Sequence, residues 1–464
     1  MLQRIKDDFF DIRRDEWPLA LSMFGYFFLV ITSFWILKPI KKSLFIEFYD
    51  QEGFALALSG VFQMQLLASQ AELLAKVLNM VVAAGAVIAF TLLARRLRRE
   101  QLTYVFAAFF IAAFVVYAFL IDRPADLTVW TFYLFGDLWT TLMVATFFAF
   151  LNDSVTPSAA KRLYGLVVLG GVAGGAFGTT FLAVYIDQIA VSAWLWICLG
   201  MAVAIIGLAW NAGRIVRRNP PPETGTDKDV PDGVDPGRGE EATKKSNAAL
   251  EGARLVFRSK YLLSIVAIVG IYEIVSTILD FQFSSTIAYY LDGPAIGQQF
   301  ATIFAISNVT ALVVQLFLTT FVMRRFGLTA ALLVTPAVMI FGSVGFLAVP
   351  ILWTGSLLNT ADSGFAYSIN QSAREALYTP TTRDEKYKAK AFIDMFVQRF
   401  AKSVAVGVSL AITLVFADFS TIRWLSLLTV VLVGVWAFAA RYAGRQFAQM
   451  EQREAAREEA ATAA

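Results

Sequence analysis

Long apolar runs recur along the whole chain, and short clusters of charged residues separate them. Each run is about as long as the ~20 residues that a helix needs to cross the hydrocarbon core of a bilayer. Only helices and closed barrels satisfy every backbone polar group in lipid, and these runs lack the polar–apolar alternation of barrel strands. The chain is 58% hydrophobic and 16% charged, whereas a water-soluble domain carries roughly 25% charged residues. The sequence therefore predicts an all-α membrane protein.

A polar segment in the middle of the chain divides these runs into two sets. Residues 219–247 are rich in proline, glycine and charge and show no apolar periodicity, which predicts a flexible linker. Six spans on each side of such a linker is the layout of a major-facilitator-like carrier, in which two six-helix bundles face one central site. We therefore predict twelve transmembrane helices, near 18–40, 75–94, 102–121, 127–151, 163–186, 190–212, 261–283, 297–322, 327–349, 352–372, 391–416 and 421–441.

The domain boundaries follow from this layout. Residues 51–73, QEGFALALSGVFQMQLLASQAEL, are too polar for a span, and we predict a helical insertion that lies on the membrane surface. The predicted domains are an N-terminal six-helix bundle over 1–213, a cytoplasmic linker over 214–259, a C-terminal six-helix bundle over 260–446 and a cytoplasmic tail over 447–464.

The positive charges indicate how the predicted spans are oriented in the membrane. Basic clusters precede the first predicted span and follow the second, fourth, sixth, eighth, tenth and twelfth, so that they all fall on one side of the membrane. The positive-inside rule assigns that side to the cytoplasm. The sequence thus predicts a multi-pass protein with both termini in the cytoplasm.

The segment FWILKPIKKSLFIEF, residues 34–48, breaks this charge rule. It closes the first span on the outward side, yet it carries Lys38, Lys41 and Lys42. Positions i, i+3 and i+4 share one helix face, and Pro39 removes a backbone hydrogen bond, so that a kink can aim this face at the bundle centre. Two interpretations stay open: the lysines snorkel to the outer headgroups, or they form a cationic wall for an anionic substrate.

Further charges lie within or beside the predicted spans, where such residues face a polar cavity or pair with one another. Arg399 and Lys402 are three residues apart and therefore share one face of a helix. Cations in both halves favour a substrate with several negative groups, such as phosphates, although some of these charges are expected to form structural pairs. The candidates are Asp137, Glu273, Asp280, Glu375, Arg399 and Lys402, with Glu72, Lys76, Arg374 and Asp394 nearby.

The composition excludes several classes of function. Without histidine, the chain has no histidine proton relay, histidine metal site or Ser-His catalysis, and its single cysteine, Cys198, allows no disulfide within the chain. The glycine run GGVAGGAF, 170–177, lacks the Lys-Ser/Thr of a phosphate loop and is expected to serve close helix packing. The net charge of +3 comes from connecting loops. We therefore predict no metal, no cofactor, no nucleic-acid partner and no enzymatic activity.

Four stretches together resemble the nucleotide transporter family, the ATP/ADP translocases of plastids and intracellular bacteria. They are LKPIKKSL; GDLWTTLMVATFFAFLNDSVTPSAAKRLYGLVVLGG; RSKYLLSIVAIVGIYEIVSTILDF; and AREALYTPTTRDEKYKAKAFIDMFVQRFAKS, which is the most specific. The resemblance covers nearly the whole chain. The matching positions are Lys38, Lys41, Asp137, Asn152, Lys161, Arg162, Tyr164, Asp280, Glu375, Tyr378, Pro380, Lys386, Lys388, Lys390, Asp394, Arg399 and Lys402.

The resemblance implies a carrier that exchanges ATP against ADP across a bacterial inner membrane by alternating access. Lys38 and Lys41 would contact phosphate oxygens from the first half, and Arg399 and Lys402 from the second. The carboxylates and Asn152 would complete the substrate site, and we expect a monomer in the lipid bilayer.

This sequence departs from the family pattern at several positions. Pro39 and Lys42 stand where the family has acidic residues, Ser284 stands about where it has a lysine, and Ala401 where it has a glycine. A changed charge set keeps a carrier of another anionic phosphorylated metabolite or of a lipid-linked phosphate as the main alternative. A proton-coupled drug exporter and a membrane enzyme or receptor are the remaining ones.

Overall fold

The computed structural model describes residues 13–14, 16–50, 53–58, 62–155, 157–218, 253–381, 389–415 and 419–463. These residues fall into two compact units, one within Met1–Val230 and Leu291–Asn308 and the other within Pro231–Tyr290 and Val309–Ala464. Most of the predicted linker lies outside the described residues, as do Lys386 and Lys388. The predicted domain boundaries stay predictions. The segment Leu291–Asn308, which we assigned to the C-terminal bundle, packs within the first unit.

In the part of the first unit that the structure describes, long helices are joined by one hairpin. Its elements are α1 (Trp17–Tyr49), β1 (Phe54–Leu58), β2 (Phe62–Leu66), α2 (Ala68–Ala94), α3 (Arg99–Leu120), α4 (Asp126–Ser154), α5 (Pro157–Tyr185), α6 (Val191–Arg218) and the beginning of α8 (Pro294–Val313).

Helix α1 is the central element of the first unit and packs against α2, α4, α5 and α6. Its 33 residues extend for about 50 Å, well beyond the ~30 Å of a hydrocarbon core. Glycines of α5 let the two backbones approach closely: a Cβ at Gly170 would lie 2.7 Å from the carbonyl oxygen of Phe24. One at Gly178 would lie 2.8 Å from that of Thr32. The glycine run therefore serves close helix packing, as the sequence predicted.

The helix predicted over 51–73 is wrong for residues 54–58 and 62–66, which form strands, whereas residues 68–73 belong to helix α2. Strands β1 and β2 form an antiparallel hairpin in which Phe54 pairs with Leu66 and Leu58 with Phe62. The segments FALAL and FQMQL alternate large apolar with small or polar side chains, which is the two-residue period of a strand. Gly53 precedes the hairpin with a φ of 66°, in the left-handed region that glycine adopts readily. Helix α2 begins at Ala68, so that Glu72 and Lys76 lie inside it.

The described residues of the second unit are helical, and three π-helical segments interrupt their helices. Helix α7 packs against α10, α13 and α14, and α9 packs against α14. Insertions of this type are rare and are frequent at functional sites. The helices are α7 (Lys260–Tyr290), the end of α8, α9 (Thr320–Ala348), α10 (Leu352–Phe365), α11 (Gln371–Ala376), α12 (Lys390–Phe392), α13 (Gln398–Val415) and α14 (Trp424–Ala463), and the π-helical segments are Val314–Thr319, Ala366–Asn370 and Ile393–Val397.

Nine helical runs among the described residues are long and apolar enough to cross a membrane. One of them, Pro294–Ala348, has 55 residues, which is about 80 Å of helix and enough for two crossings. Gly327, with a φ of 80°, breaks this run near its middle. The predicted spans near 352–372 and 391–416 coincide with helices that π-helical segments interrupt. The helical, multi-pass membrane fold is confirmed, and the count of twelve stays a prediction.

Candidate functional site

The lysines of α1 lie on the side of the helix that packs into the first unit. The side chains of Lys41 and Lys42 are only 4% and 3% exposed, and Lys38 is half-buried. Lys41 and Lys42 each reach a carboxylate within the unit, so that the snorkelling interpretation does not fit these two. A charged group this deeply buried is costly unless a counter-charge or a ligand compensates it.

Lys41 forms an ion pair with Asp137 of α4. The second carboxylate oxygen of Asp137 accepts a hydrogen bond from the Nδ2 of Asn79 on α2. The neighbouring Gly136 makes room for the lysine stem, since a Cβ there would lie 2.8 Å from the Cδ of Lys41. Three helices therefore fix the position of this ammonium group.

Lys42 reaches a different carboxylate, that of Glu72 on α2. The Lys42 Nζ lies 3.3 Å from Glu72 Oε1, and the Lys76 Nζ lies 3.6 Å from the same oxygen. The hydroxyl of Tyr133 on α4 donates a third contact to it at 3.0 Å. Glu72 is 1% exposed, so these contacts, rather than bulk water, compensate its charge.

Aromatic rings complete the surroundings of the lysines. The Nζ of Lys41 lies 4.4 Å from the centroid of the Tyr133 ring, whose hydroxyl contacts Glu72, so Tyr133 touches both ion pairs. The Nζ of Lys38 lies 4.5 Å from the Trp35 ring and 4.8 Å from that of Phe304 on α8. Each such cation–π contact contributes roughly 0.5–2 kcal/mol.

We call the six charged residues Lys38, Lys41, Lys42, Glu72, Lys76 and Asp137 the lysine network. Its members come from α1, α2 and α4, and lysines outnumber carboxylates by four to two. Ammonium groups are compact point charges with three donors each, and phosphate oxygens are ligands that they bind well. The arrangement can therefore bind an anion with several negative groups.

The second unit pairs several of its predicted site residues. The Lys402 Nζ lies 3.4 Å from Glu273 Oε2, and the Lys390 Nζ lies 2.5 Å from Glu375 Oε2. Asp362 of α10 is buried and accepts a hydrogen bond of 2.7 Å from the hydroxyl of Ser276. The sequence analysis did not include it among the candidates, although it is also a charged residue within a predicted span. The sequence predicted the acidic and basic members but not these pairings.

Three other candidates are placed apart from these pairs. Asn152 is exposed near the C-terminal end of α4, about 22 Å along the helix from Asp137, and it accepts a hydrogen bond from the hydroxyl of Tyr164. It does not join the lysine network, and its part in substrate binding stays a prediction. Asp280 and Arg399 are half-buried in the second unit, and their roles likewise stay predictions.

Sequence reasoning missed two members of the site, Asn79 and Tyr133, and it noted Lys42, Glu72 and Lys76 without their pairing. The predicted second span began at residue 75, whereas α2 begins at Ala68. With the earlier start, Glu72 and Asn79 fall on one helix face, seven residues apart, and would have been recognised as a polar stripe. Tyr133 carries no charge, and nothing in its sequence neighbourhood marks it.

Comparisons with known proteins agree on the class of the chain. A family model described as TLC ATP/ADP transporter matches residues 124–361 and 351–447. The plastidic ATP/ADP-transporter of Solanum tuberosum is 24% identical over 81% of this chain and 67% of its own length. ADP,ATP carrier protein 1 of Chlamydia pneumoniae is 22% identical over 74% of this chain and 73% of its own. The chloroplastic ADP,ATP carrier protein 1 of Arabidopsis thaliana is 24% identical, and the match spans 56% of its length.

Solved transporter structures share the fold. A variant of the nucleoside transporter NupG superposes with a TM-score of 0.63 at 11% identity, covering 92% of this chain and 99% of that one. A bacterial homologue of the iron transporter ferroportin, in an inward-facing state, gives 0.60 at 10% identity, covering 92% and 98%. At these identities the likeness shows the fold alone, which is major-facilitator-like, as predicted.

Proposed function

Because the chain belongs to the TLC ATP/ADP transporter family, we propose that it exchanges nucleotides, ATP against ADP, across a bacterial inner membrane. The family is one of carriers, and the chain is a carrier rather than an enzyme. The observation that carries the proposal is the lysine network, in which ammonium groups of α1 and α2 form ion pairs with Asp137 of α4 and Glu72 of α2 inside the first unit. The names of the relatives supply the identity of the anion as a nucleotide.

The chemistry of the network suits phosphate. A phosphate oxygen approaching Lys41 would take the place of the Asp137 carboxylate, because both are anionic oxygens that accept charge-assisted hydrogen bonds. Asp137 is 30% exposed, so water can hydrate it once the lysine turns to the substrate. Lys402, which is 47% exposed beside Glu273, is a candidate for further phosphate contacts from the second unit.

Exchange rather than one-way transport follows from the cost of moving charge. Without substrate, the four lysines of the network have only its two carboxylates as counter-charges, and reorienting the carrier with this excess of positive charge is unfavourable in a medium of low dielectric constant. A bound polyphosphate neutralises the ammonium groups and removes this cost. We propose that the loaded carrier alternates between the two sides as a monomer, with both termini in the cytoplasm.

A ligand panel on the purified carrier tests the substrate class. ATP and ADP are expected to raise the melting temperature, since a ligand at 100 times its Kd stabilises the folded state by about 2.7 kcal/mol. Adenosine is not expected to raise it. Lys41→Ala is expected to abolish the shift. Arg217→Ala, which removes an ion pair with Glu100 elsewhere in the same unit, is expected to leave it intact.

Two results would contradict the proposal. Stabilisation by adenosine alone, or by no phosphate compound, would remove the phosphate assignment. Stabilisation by sugar phosphates or pyrophosphate without any effect of ATP and ADP would replace the nucleotide by another phosphorylated anion.

A further inference from the structure

Glu72 Oε1 is the meeting point of three donors from three helices. Lys42 reaches it from α1, Lys76 from α2 and the Tyr133 hydroxyl from α4, all within 3.0–3.6 Å. Lys76 is the most distant of the three groups, and its 3.6 Å contact is longer than a hydrogen bond. A phosphoryl group presents three terminal oxygens and so offers each of the three groups an oxygen of its own.

A polar seam connects this point with the Lys41–Asp137 pair. Glu72, Lys76 and Asn79 follow one another at i, i+4 and i+7 and therefore lie on one face of α2. Asn79 donates to Asp137, whose side chain is 30% exposed, whereas Glu72 is 1% exposed. The seam thus runs from a partly exposed ion pair to a buried one.

The geometry points to a second anion subsite at Lys42, Lys76 and the Tyr133 hydroxyl, which Glu72 occupies as an internal counter-anion. A second phosphoryl group of a nucleoside di- or triphosphate displaces Glu72 and takes its place, while the first phosphoryl group engages Lys41. This assignment rests on the proposed function, because it divides the substrate's phosphates between two lysine pairs. It makes the number of phosphoryl groups, rather than the base, the property that this part of the site recognises.

The sign of one substitution separates this role from a purely structural one. If Glu72 competes with the substrate, removing its charge strengthens binding of a diphosphate. If Glu72 only holds the three helices together, removing its charge weakens binding of every ligand alike. A ligand with one phosphoryl group does not need the second subsite, so its affinity is the internal reference.

The experiment measures Kd by calorimetry for AMP, ADP and inorganic pyrophosphate on the full-length carrier in nanodiscs. Glu72→Gln is expected to tighten ADP and pyrophosphate binding about tenfold and to change AMP binding less than about twofold. Lys76→Gln is expected to weaken the binding of ADP and pyrophosphate about tenfold, and Lys76→Arg is expected to restore their binding. Glu100→Gln is the matched control, because Glu100 accepts a hydrogen bond of 2.5 Å from Tyr104 and pairs with Arg217, and it should change nothing.

Weaker or unchanged ADP and pyrophosphate binding in Glu72→Gln would overturn the inference, as would equal effects of Lys76→Gln on AMP and ADP. The Lys76 variants keep the test decisive if Glu72→Gln does not fold, because Lys76 is more exposed, at 18%. If pyrophosphate follows the expected pattern while the unmodified carrier binds neither ADP nor ATP, the subsite stands and the nucleotide assignment fails.

Discussion

Asp137→Asn should destabilise the protein far more than Lys41→Gln, although the two residues form one ion pair. The reason is their unequal burial. Lys41 is 4% exposed, so the asparagine variant leaves an ammonium group inside the protein without its carboxylate. Asp137 is 30% exposed and also accepts a hydrogen bond from Asn79, so the glutamine variant leaves an acid that water and an amide still solvate.

The magnitudes follow from these surroundings. Removing one partner of a buried pair costs about 3–5 kcal/mol, and the Tyr133 ring, 4.4 Å from the Lys41 Nζ, offsets roughly 1 kcal/mol of it. We therefore expect a loss of about 3 kcal/mol in the free energy of unfolding for Asp137→Asn. For Lys41→Gln we expect about 1 kcal/mol, as for pairs with a hydrated partner. The double variant buries no charge and should lose only about 2 kcal/mol, which gives a coupling energy of about 2 kcal/mol.

Denaturant unfolding of the four proteins in mixed micelles measures this cycle directly. Equal losses for the two single variants would refute the inference from burial. A coupling energy near zero would show that Lys41 and Asp137 do not compensate each other in the folded carrier.

Three further substitutions test other parts of the structure. Gly136→Ala should raise the KM for ADP about tenfold, because its Cβ would lie 2.8 Å from the Cδ of Lys41 and push the lysine stem aside; ADP uptake by proteoliposomes measures this. Gly178→Ala should lower the free energy of unfolding by about 1–3 kcal/mol, since its Cβ would meet the backbone of α1 at 2.8 Å; denaturant unfolding checks it. Lys402→Gln should reduce exchange while costing less than about 1 kcal/mol of stability, because Lys402 is 47% exposed beside Glu273; uptake and unfolding are compared on one preparation.

The two glycine substitutions each have a reference position. A Cβ at Gly85 of α2 or at Gly200 of α6 would have no heavy atom within 4 Å, so alanine there should leave both transport and stability unchanged or slightly improved. Loss of transport in Gly85→Ala equal to that in Gly136→Ala would remove the steric explanation. A destabilisation of several kcal/mol in Lys402→Gln would show that its pair with Glu273 is structural rather than available to substrate.

The apolar runs predicted the helical membrane fold and the glycine run predicted close helix packing, because both depend on local composition, but the sequence did not name α1 as the partner of α5. The hairpin was missed because strands of five residues give a weak periodic signal, and the apolar residues of 51–73 also fit a short helix. Gly327 lies at the boundary that the sequence predicted between two spans, whereas the π-helical segments interrupt helices inside predicted spans and leave no sign in the hydropathy.

The charged residues of the site were visible in the sequence, but their pairing was not. Lys41 and Lys42 are adjacent on α1, and the sequence alone does not distinguish which of them pairs with Asp137 and which with Glu72. Which lysine meets which acid depends on the tilt of α2 and α4 against α1 and on the gap at Gly136, and both are properties of the packing. Spacing along one helix defines a face but does not define the partner on another.

The most direct test of the central claim is counter-exchange in proteoliposomes. The account predicts that labelled ADP enters vesicles preloaded with ATP and enters empty vesicles at a small fraction of that rate. With Lys41→Ala, labelled ADP should enter neither kind of vesicle, while Arg217→Ala should transport normally. Equal uptake into empty and preloaded vesicles, or full exchange by Lys41→Ala, would contradict it.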